Sequence, residues 1–312
     1  FILYSCMNSA RQKESKPIDL KVYDVAKAFD KLSLEECCNN IYDRGVTDDK
    51  MAMIYEGNKT NKIMISTPMG MTEPKVVNEI VTQGGVLGPK LCSVQIDNIG
   101  KDAIESGEHL YKYKGEVGIP PLGMIDDVLD ISECGVDSVI DNAYINAQFE
   151  MNKLQLNKKK CHQLHIGTVN PNCPNLMAHN DLIKKVSEDK YLGDQISYDL
   201  KFHKNIKLRC SRGIGVINDI MTLLDELSLG NFHFEIGLLL RQSMLISMLL
   251  NNAECLLNLT KDDIEELENI DLILLRKLLG APSKTPIPAI YLELGCTPLS
   301  FHLKSKRLMF LH

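Results

Sequence analysis

Three Asp-Asp pairs punctuate the 312-residue chain, and their neighbours separate them. Asp48-Asp49 and Asp262-Asp263 each follow a threonine at the start of a helical stretch. There, acidic side chains complement the positive end of the helix dipole by about 0.3 to 1 kcal/mol apiece, and capping accounts for both pairs. Asp126-Asp127 stands instead between the apolar runs PLGMI and VLDIS. With no room for a long loop, those runs predict a β-hairpin whose tight turn presents both carboxylates. Like charges beside apolar strands are costly, and a divalent cation relieves the repulsion. Mg2+ suits such a place, since it takes a few carboxylates and completes its shell with substrate phosphates. The other reading is a solvated turn, where Asp is common because it tolerates turn geometry.

A third carboxylate on a neighbouring strand favours the metal. Asp24 ends IDLKVYD, whose apolar-polar alternation predicts a half-buried strand. Its alternative role is N-cap of the helix that follows. Cys161, His162, His165, Cys173 and His179 have the chemistry of zinc ligands, but their spacing is irregular. In an extended strand Cys161 and His165 point to one face and His162 to the other, so these residues read as structural.

The elements that must position the carboxylates follow from pattern. Ser33 with Glu36 forms a capping box, and Thr47 opens a second helix. KIMIST is strand-like, Gln83-Gly84-Gly85 makes a bend, and LCSVQIDNIGKDAIE forms a helix with one apolar face. HLYKYKG, CHQLHIG and KYLGDQIS read as strands, and a long amphipathic helix is expected over 136–156. VNPNCPN is a polar loop. Beyond Asp199 apolar residues recur at three- and four-residue spacing, so the chain turns all-helical and a domain boundary is placed there. No fixed-period repeat occurs, which excludes solenoids and propellers.

Composition sets limits on the partners. The formal charge is -6 with a pI near 5.8, which argues mildly against a nucleic-acid partner, because phosphate neutralisation needs clustered Lys and Arg. Lys201, Lys204, Lys207, Arg209 and Arg212 nevertheless recur along one predicted helix, where they either track a phosphate backbone or form a solvated face. Ten cysteines in no disulfide-framework spacing point to a reduced, intracellular chain in cytoplasm or nucleus, not a secreted one. The opening FILYSCMNSARQKESKP lacks a basic leader and a cleavage-like site. The apolar stretch 236–250 is broken by Arg241 and Gln242 and falls short of the ~20 residues of a membrane span. It is expected as a buried helix, with no membrane partner.

Five blocks, YDVAKAFD, QGGVLGPKLCS, GMIDDVLDIS, LNKKKC and KYLG, resemble the palm motifs of reverse transcriptases in their order, most of all those of non-LTR retrotransposons. LRKLLGAPSKTP and AIYLELGCTPLS are similar to that family's downstream region. The resemblance implies an α+β fold: partial fingers and a palm over 1–198, with an antiparallel sheet packed on helices, then a helical thumb and connection over 199–312. It implies an RNA-directed DNA polymerase that extends a primer 3'-hydroxyl with deoxynucleoside triphosphates on an RNA template. Asp24, Asp126 and Asp127 would hold two Mg2+ ions, with Mn2+ as a substitute.

By the same resemblance Lys160 lies near the triphosphate, and Phe29 abuts the ribose 2'-position. Gln83 and Gly84 position nucleotide and template, and Tyr191, Leu192 and Gly193 form a primer grip. Taken alone, Phe29 is equally a helix-packing aromatic, Gln83-Gly84 a turn, and Lys160 a solvated lysine. The chain departs from the family at Met124-Ile125, at Gly88 where many relatives have Ser, and at Lys90. Only 23 residues precede Asp24, where the family places most of its fingers, and no endonuclease is recognisable. Two other classes therefore stand beside the polymerase. One is a catalytically silent nucleic-acid-binding remnant, the other an interaction protein using the helices after Asp199. No stable protein partner is inferable.

Overall fold

The computed structural model describes residues 2–12, 15–78, 81, 87–167, 173–179, 181–227, 232–256 and 258–311. The chain forms two compact units, Cys6–Asp189 and a second made of Lys190–His312 with Phe1–Ser5.

In the unit Cys6–Asp189 the predicted strand Ile18–Asp24 (β1) is the centre of a five-stranded sheet. The others are Leu122–Met124 (β2), Asp127–Glu133 (β3), His162–Ile166 (β4) and Lys184–Val186 (β5), in the order β5-β4-β1-β3-β2. All pairings are antiparallel except β4 with β5, a parallel edge that strand alternation alone does not foretell. β1 carries Tyr23 into a core shared with Val128, Leu91, Ile96, Ile145 and Phe149. These come from β3 and from the helices Gly88–Ser106 (α2) and Val136–Met151 (α3). Leu34–Asp43 (α1) adds Cys37 and Ile41. Each large apolar side chain so buried stabilises the fold by about 1.5–3 kcal/mol. Tyr23 keeps its hydroxyl satisfied by donating to Asn142 Oδ1 at 2.8 Å.

The middle of β1 carries a charge. Lys21 lies directly opposite Asp130 of β3, and the two form an ion pair with side chains 0% and 2% exposed. Lys21 Nζ also donates to the Ser138 carbonyl at 3.3 Å. Desolvating both charges is costly, so the pair fixes the β1–β3 register more than it adds stability.

Two local expectations need correction. The helix expected over 136–156 ends at Met151, because Lys153 adopts a left-handed φ of +55° that no α-helix continues. Leu154 and Leu156, which keep the apolar spacing going in the sequence, are buried from an extended segment instead. That segment lies along the end of β1, where Ala26 N donates to the Gln155 carbonyl at 2.7 Å and Val25 bridges Leu156. The Ser33 box is only half made. Ser33 Oγ accepts from Glu36 N at 3.3 Å, while the Glu36 carboxylate turns to Lys153 Nζ at 2.7 Å.

The second unit is helical beyond a small hairpin: His203–Leu227 (α4), His233–Leu240 (α5), Lys261–Leu279 (α6), Ile287–Leu294 (α7) and Leu299–Leu311 (α8). Here the Thr260–Asp263 box is complete, with Asp263 N donating to Thr260 Oγ1 and Thr260 N to Asp263 Oδ2. The apolar stretch 236–250 is helical but not one regular helix, since Arg241–Ile246 winds as a π-helix after α5. Arg241 is buried there, making two 2.7 Å bonds to Asp271 of α6 and one of 2.9 Å to the Thr297 carbonyl. Gly237 permits the tight contact between α5 and α6, because a Cβ there would lie 2.6 Å from Leu278 Cδ2. Among the described residues no helix is long and apolar enough to cross a membrane.

Candidate active site

The register of β1 on β3 sets Asp24 directly opposite Asp127. Opposed residues of an antiparallel pair share a face, so both carboxylates project from the same side at the sheet's end. Asp126 occupies the hairpin between β2 and β3, closed by the pairing of Met124 with Asp127. That leaves a two-residue turn, Ile125-Asp126. Ile125 carries a φ of +59°, the first-position geometry that hairpins of this kind normally give to glycine. A β-branched residue held there costs on the order of 1–3 kcal/mol. Its half-buried side chain packs on the core, and its carbonyl accepts from Cys92 Sγ at 3.3 Å. Core packing therefore over-determines the turn that aims Asp126.

The electrostatics are those of an incompletely neutralised acidic group. Burial, then the charges of Asp126 and Asp24, push the Asp127 carboxyl above its ordinary value, with Asp189 adding to them and Lys160 opposing. Lys160 Nζ lies 3.1 Å from Asp24 Oδ1. That hydrogen bond and the Asp24 charge raise the lysine, with Asp126 and Asp127 contributing. The lysine arrives on a turn anchored to the strand it serves: Asn157 N donates to the Asp24 carbonyl and Lys160 N to the Asn157 carbonyl, each at 2.8 Å. Nearby, Asp189 is held 3.1 Å from His162 Nδ1. The donors are all hard oxygens, the set that suits Mg2+. The three aspartates do not form a closed cage. Among the described residues, the group of three or more potential ligands whose donor atoms all lie within 4.8 Å of one another is Asp19, Cys134, His165 and Cys173.

The remaining residues singled out in the sequence are distributed as follows. Phe29 lies in the short helix Ala28–Lys31 and is half-buried against the core. Gln83 and Gly84 lie outside the described residues. Tyr191 is buried at the end of Glu188–Tyr191, which pairs with Asp194–Ser197 as a separate two-stranded hairpin. Leu192 and Gly193, with φ of +48° and +89°, form its turn. The basic run is reduced by one member. Arg209 is buried and bound to Asp194 Oδ1 at 2.6 Å and to the Leu249 carbonyl at 2.9 Å, so it cannot track phosphates. Lys204, Lys207 and Arg212 remain on the exposed side of α4.

No family model matches the chain, and no curated protein matches it. Solved structures do. The apo telomerase of Candida tropicalis, truncated from its C-terminal domain, aligns over 63% of this chain at 12% identity and a TM-score of 0.43. The telomerase of Candida albicans in complex with the TWJ fragment of telomeric RNA aligns over 94% at 11% and 0.44. The corresponding Candida tropicalis complex aligns over 94% at 12% and 0.41. The chain spans 37% of the first and 51% of each of the other two.

One group of residues is not legible in the spacing at all. His165 and Cys173 stand out in the sequence, but among neighbours that the fold sends elsewhere. His162 turns to Asp189 and His179 to Glu150, whereas His165 and Cys173 meet Asp19 and Cys134. The signal that could have found this group is a register: Asp19 pairs with His165 only once β1 is laid against β4.

Proposed function

We propose that the chain carries the catalytic core of an RNA-directed DNA polymerase, in which Asp24, Asp126 and Asp127 hold two Mg2+ ions. The reaction is transfer of a nucleotidyl group from a deoxynucleoside triphosphate to a primer 3'-hydroxyl on an RNA template. The observation that carries this reading is the pairing of Asp24 with Asp127 across the two central strands, beside a turn that presents Asp126. Bound Mg2+ would supply activation of the attacking hydroxyl and neutralisation of charge on the phosphorus and the leaving pyrophosphate.

The chain's own groups fit the remaining tasks. The repulsion that raises Asp127 is relieved by divalent charge, so the fold holds these carboxylates ready at some electrostatic cost. Lys160, now paired with Asp24, becomes available to the triphosphate when Asp24 turns to a metal. From there it offsets developing charge or donates a proton to pyrophosphate. Following the family resemblance, Phe29 is assigned the ribose-facing role, Gln83 and Gly84 the nucleotide and template, and the Tyr191-Leu192-Gly193 turn the primer end.

Primer extension on an RNA template tests the assignment. Incorporation of deoxynucleotides is expected with Mg2+, and its loss in Asp126→Asn with an unchanged circular dichroism spectrum. A wild-type chain that binds template-primer in a salt-dependent way yet incorporates nothing is instead a silent nucleic-acid-binding remnant. One that does not bind at low salt is neither.

A further inference from the structure

The first half of β1 carries a second cluster, of different chemistry. Asp19 is directly opposite His165 on β4 and directly opposite Ser132 on β3. Cys134 lies in the turn just past the end of β3, where its backbone N–H donates to the Pro17 carbonyl at 2.9 Å, beside the start of β1. Cys173 comes from the segment after β4. Two adjacent strands, the turn after β3 and a residue following β4 in the chain thus bring a carboxylate, an imidazole and two thiols together, with all four donor atoms within 4.8 Å of one another.

From these residues we infer a structural Zn2+ site with Asp19, Cys134, His165 and Cys173 as its four ligands. The spacing agrees with the metal. Zinc bonds of roughly 2.0–2.3 Å in a tetrahedron place neighbouring donors about 3.3–3.8 Å apart. Cys173 Sγ lies 3.7 Å from Asp19 Oδ1, within that range, and His165 Nδ1 lies 2.9 Å from the same oxygen, a distance that must widen when a metal enters. The donor set of two sulfurs, one nitrogen and one oxygen selects zinc over Mg2+ or Ca2+.

A second observation points to a missing ligand. Asp19 is fully buried, and its other oxygen, Oδ2, has no hydrogen-bond partner. A buried carboxylate oxygen without a partner is expensive unless a cation or a donor meets it. Supporting contacts of the kind that orient metal ligands are also in place. Gln163 Nε2 donates to Cys173 Sγ at 3.5 Å, and Lys185 Nζ to the Cys173 carbonyl at 2.8 Å. Four protein ligands leave no open position, so the site ties β1, β3 and the loop after β4 together and performs no reaction. On binding, the two cysteines coordinate as thiolates and release their protons to solvent.

This inference does not rest on the polymerase reading. The test is metal content of the full chain, purified with its cysteines reduced and then equilibrated with Zn2+ or Co2+. One zinc per chain is expected, and with Co2+ the intense thiolate-to-cobalt absorption. Cys173→Ser should lose both, and Cys134→Ser likewise, whereas Cys210→Ser, in the other unit, should keep both. Cys173 is half-exposed and outside any strand, so its serine variant probes ligation without disturbing the sheet, and circular dichroism verifies the fold. A folded wild-type chain that retains no zinc and gives no cobalt band overturns the site. So does a zinc content that Cys134→Ser and Cys173→Ser leave at one.

Discussion

The two ends of β1 present the same residue type in opposite circumstances. Asp24 closes the strand among half-exposed carboxylates and a largely exposed lysine, whereas Asp19, near its start, is fully buried beside an imidazole and two thiols. They are five residues apart, an odd separation, so they also project to opposite faces about 16 Å from one another. On the proposed readings, one end would take ions that come and go with substrate, the other an ion that stays. The difference lies in the accompanying donors and the access of water, not in the aspartate.

The largest effect expected is on catalysis, and it should be confined to one end. Asp24→Asn or Asp127→Asn should lower nucleotide incorporation by on the order of 10³-fold, because each removes charge from the metal set. Zinc content should not change. An Asp127→Asn chain that loses zinc would mean the two ends are one site.

Next comes the middle of the strand. Lys21→Met strands the Asp130 carboxylate in the sheet and should destabilise the unit by about 3–5 kcal/mol in denaturant unfolding, with most of it regained in Lys21→Met/Asp130→Leu. No recovery in the double variant would show that Lys21 matters through its bond to Ser138 instead. A smaller effect belongs to the other end. Stripping zinc with a strong chelator should lower Tm by roughly 5 °C or more, and excess Mg2+ should not restore it.

The metal-free chain should also reveal the two ends by the sign of their pH dependence. Asp127 is raised, so the folded state holds its proton more tightly than the unfolded one. Its contribution therefore weakens as pH climbs from the unfolded value near 3.9 through the higher folded one. Asp19 is lowered: burial pushes it up, but interactions with the side chains of His165, Ser138 and Cys134, together with the His165 charge, outweigh that. Its contribution is present above the unfolded value and disappears as pH falls through the folded one. Unfolding midpoints measured from pH 3 to 7 should accordingly change in opposite directions with Asp127→Asn and Asp19→Asn. The smallest effect is at the turn. Ile125→Gly exchanges left-handed strain for lost packing, so stability should move by no more than about 1 kcal/mol while incorporation falls.

The Asp24 end of the strand is visible in the sequence because its pieces carry local patterns, although Asp24 meets Lys160 across 136 residues of chain. Asp126-Asp127 between apolar runs announces a hairpin, and the alternation of IDLKVYD announces the strand beneath it, so pairing of the two needs little else. The Asp19 end depends on contacts across 146 and 154 residues of chain, which no spacing rule reaches. Parity arguments within β4 separate His162 from His165 correctly, but the partners lie on other strands. Periodicity misleads where burial continues without the helix, as at Leu154 and Leu156. It also misleads where a cation is consumed internally, as at Arg209. Both outcomes are decided by tertiary contacts that a helical wheel does not contain.

The wide turn at Arg241 has a consequence for how the helical unit comes apart. One guanidinium holds the π-turn, α6 and the carbonyl of Thr297 ahead of α8. None of the three segments can leave without exposing a buried charge on the other two. Amide exchange in them should therefore proceed through a single concerted opening, with one shared free energy, and not by fraying inward from the chain terminus.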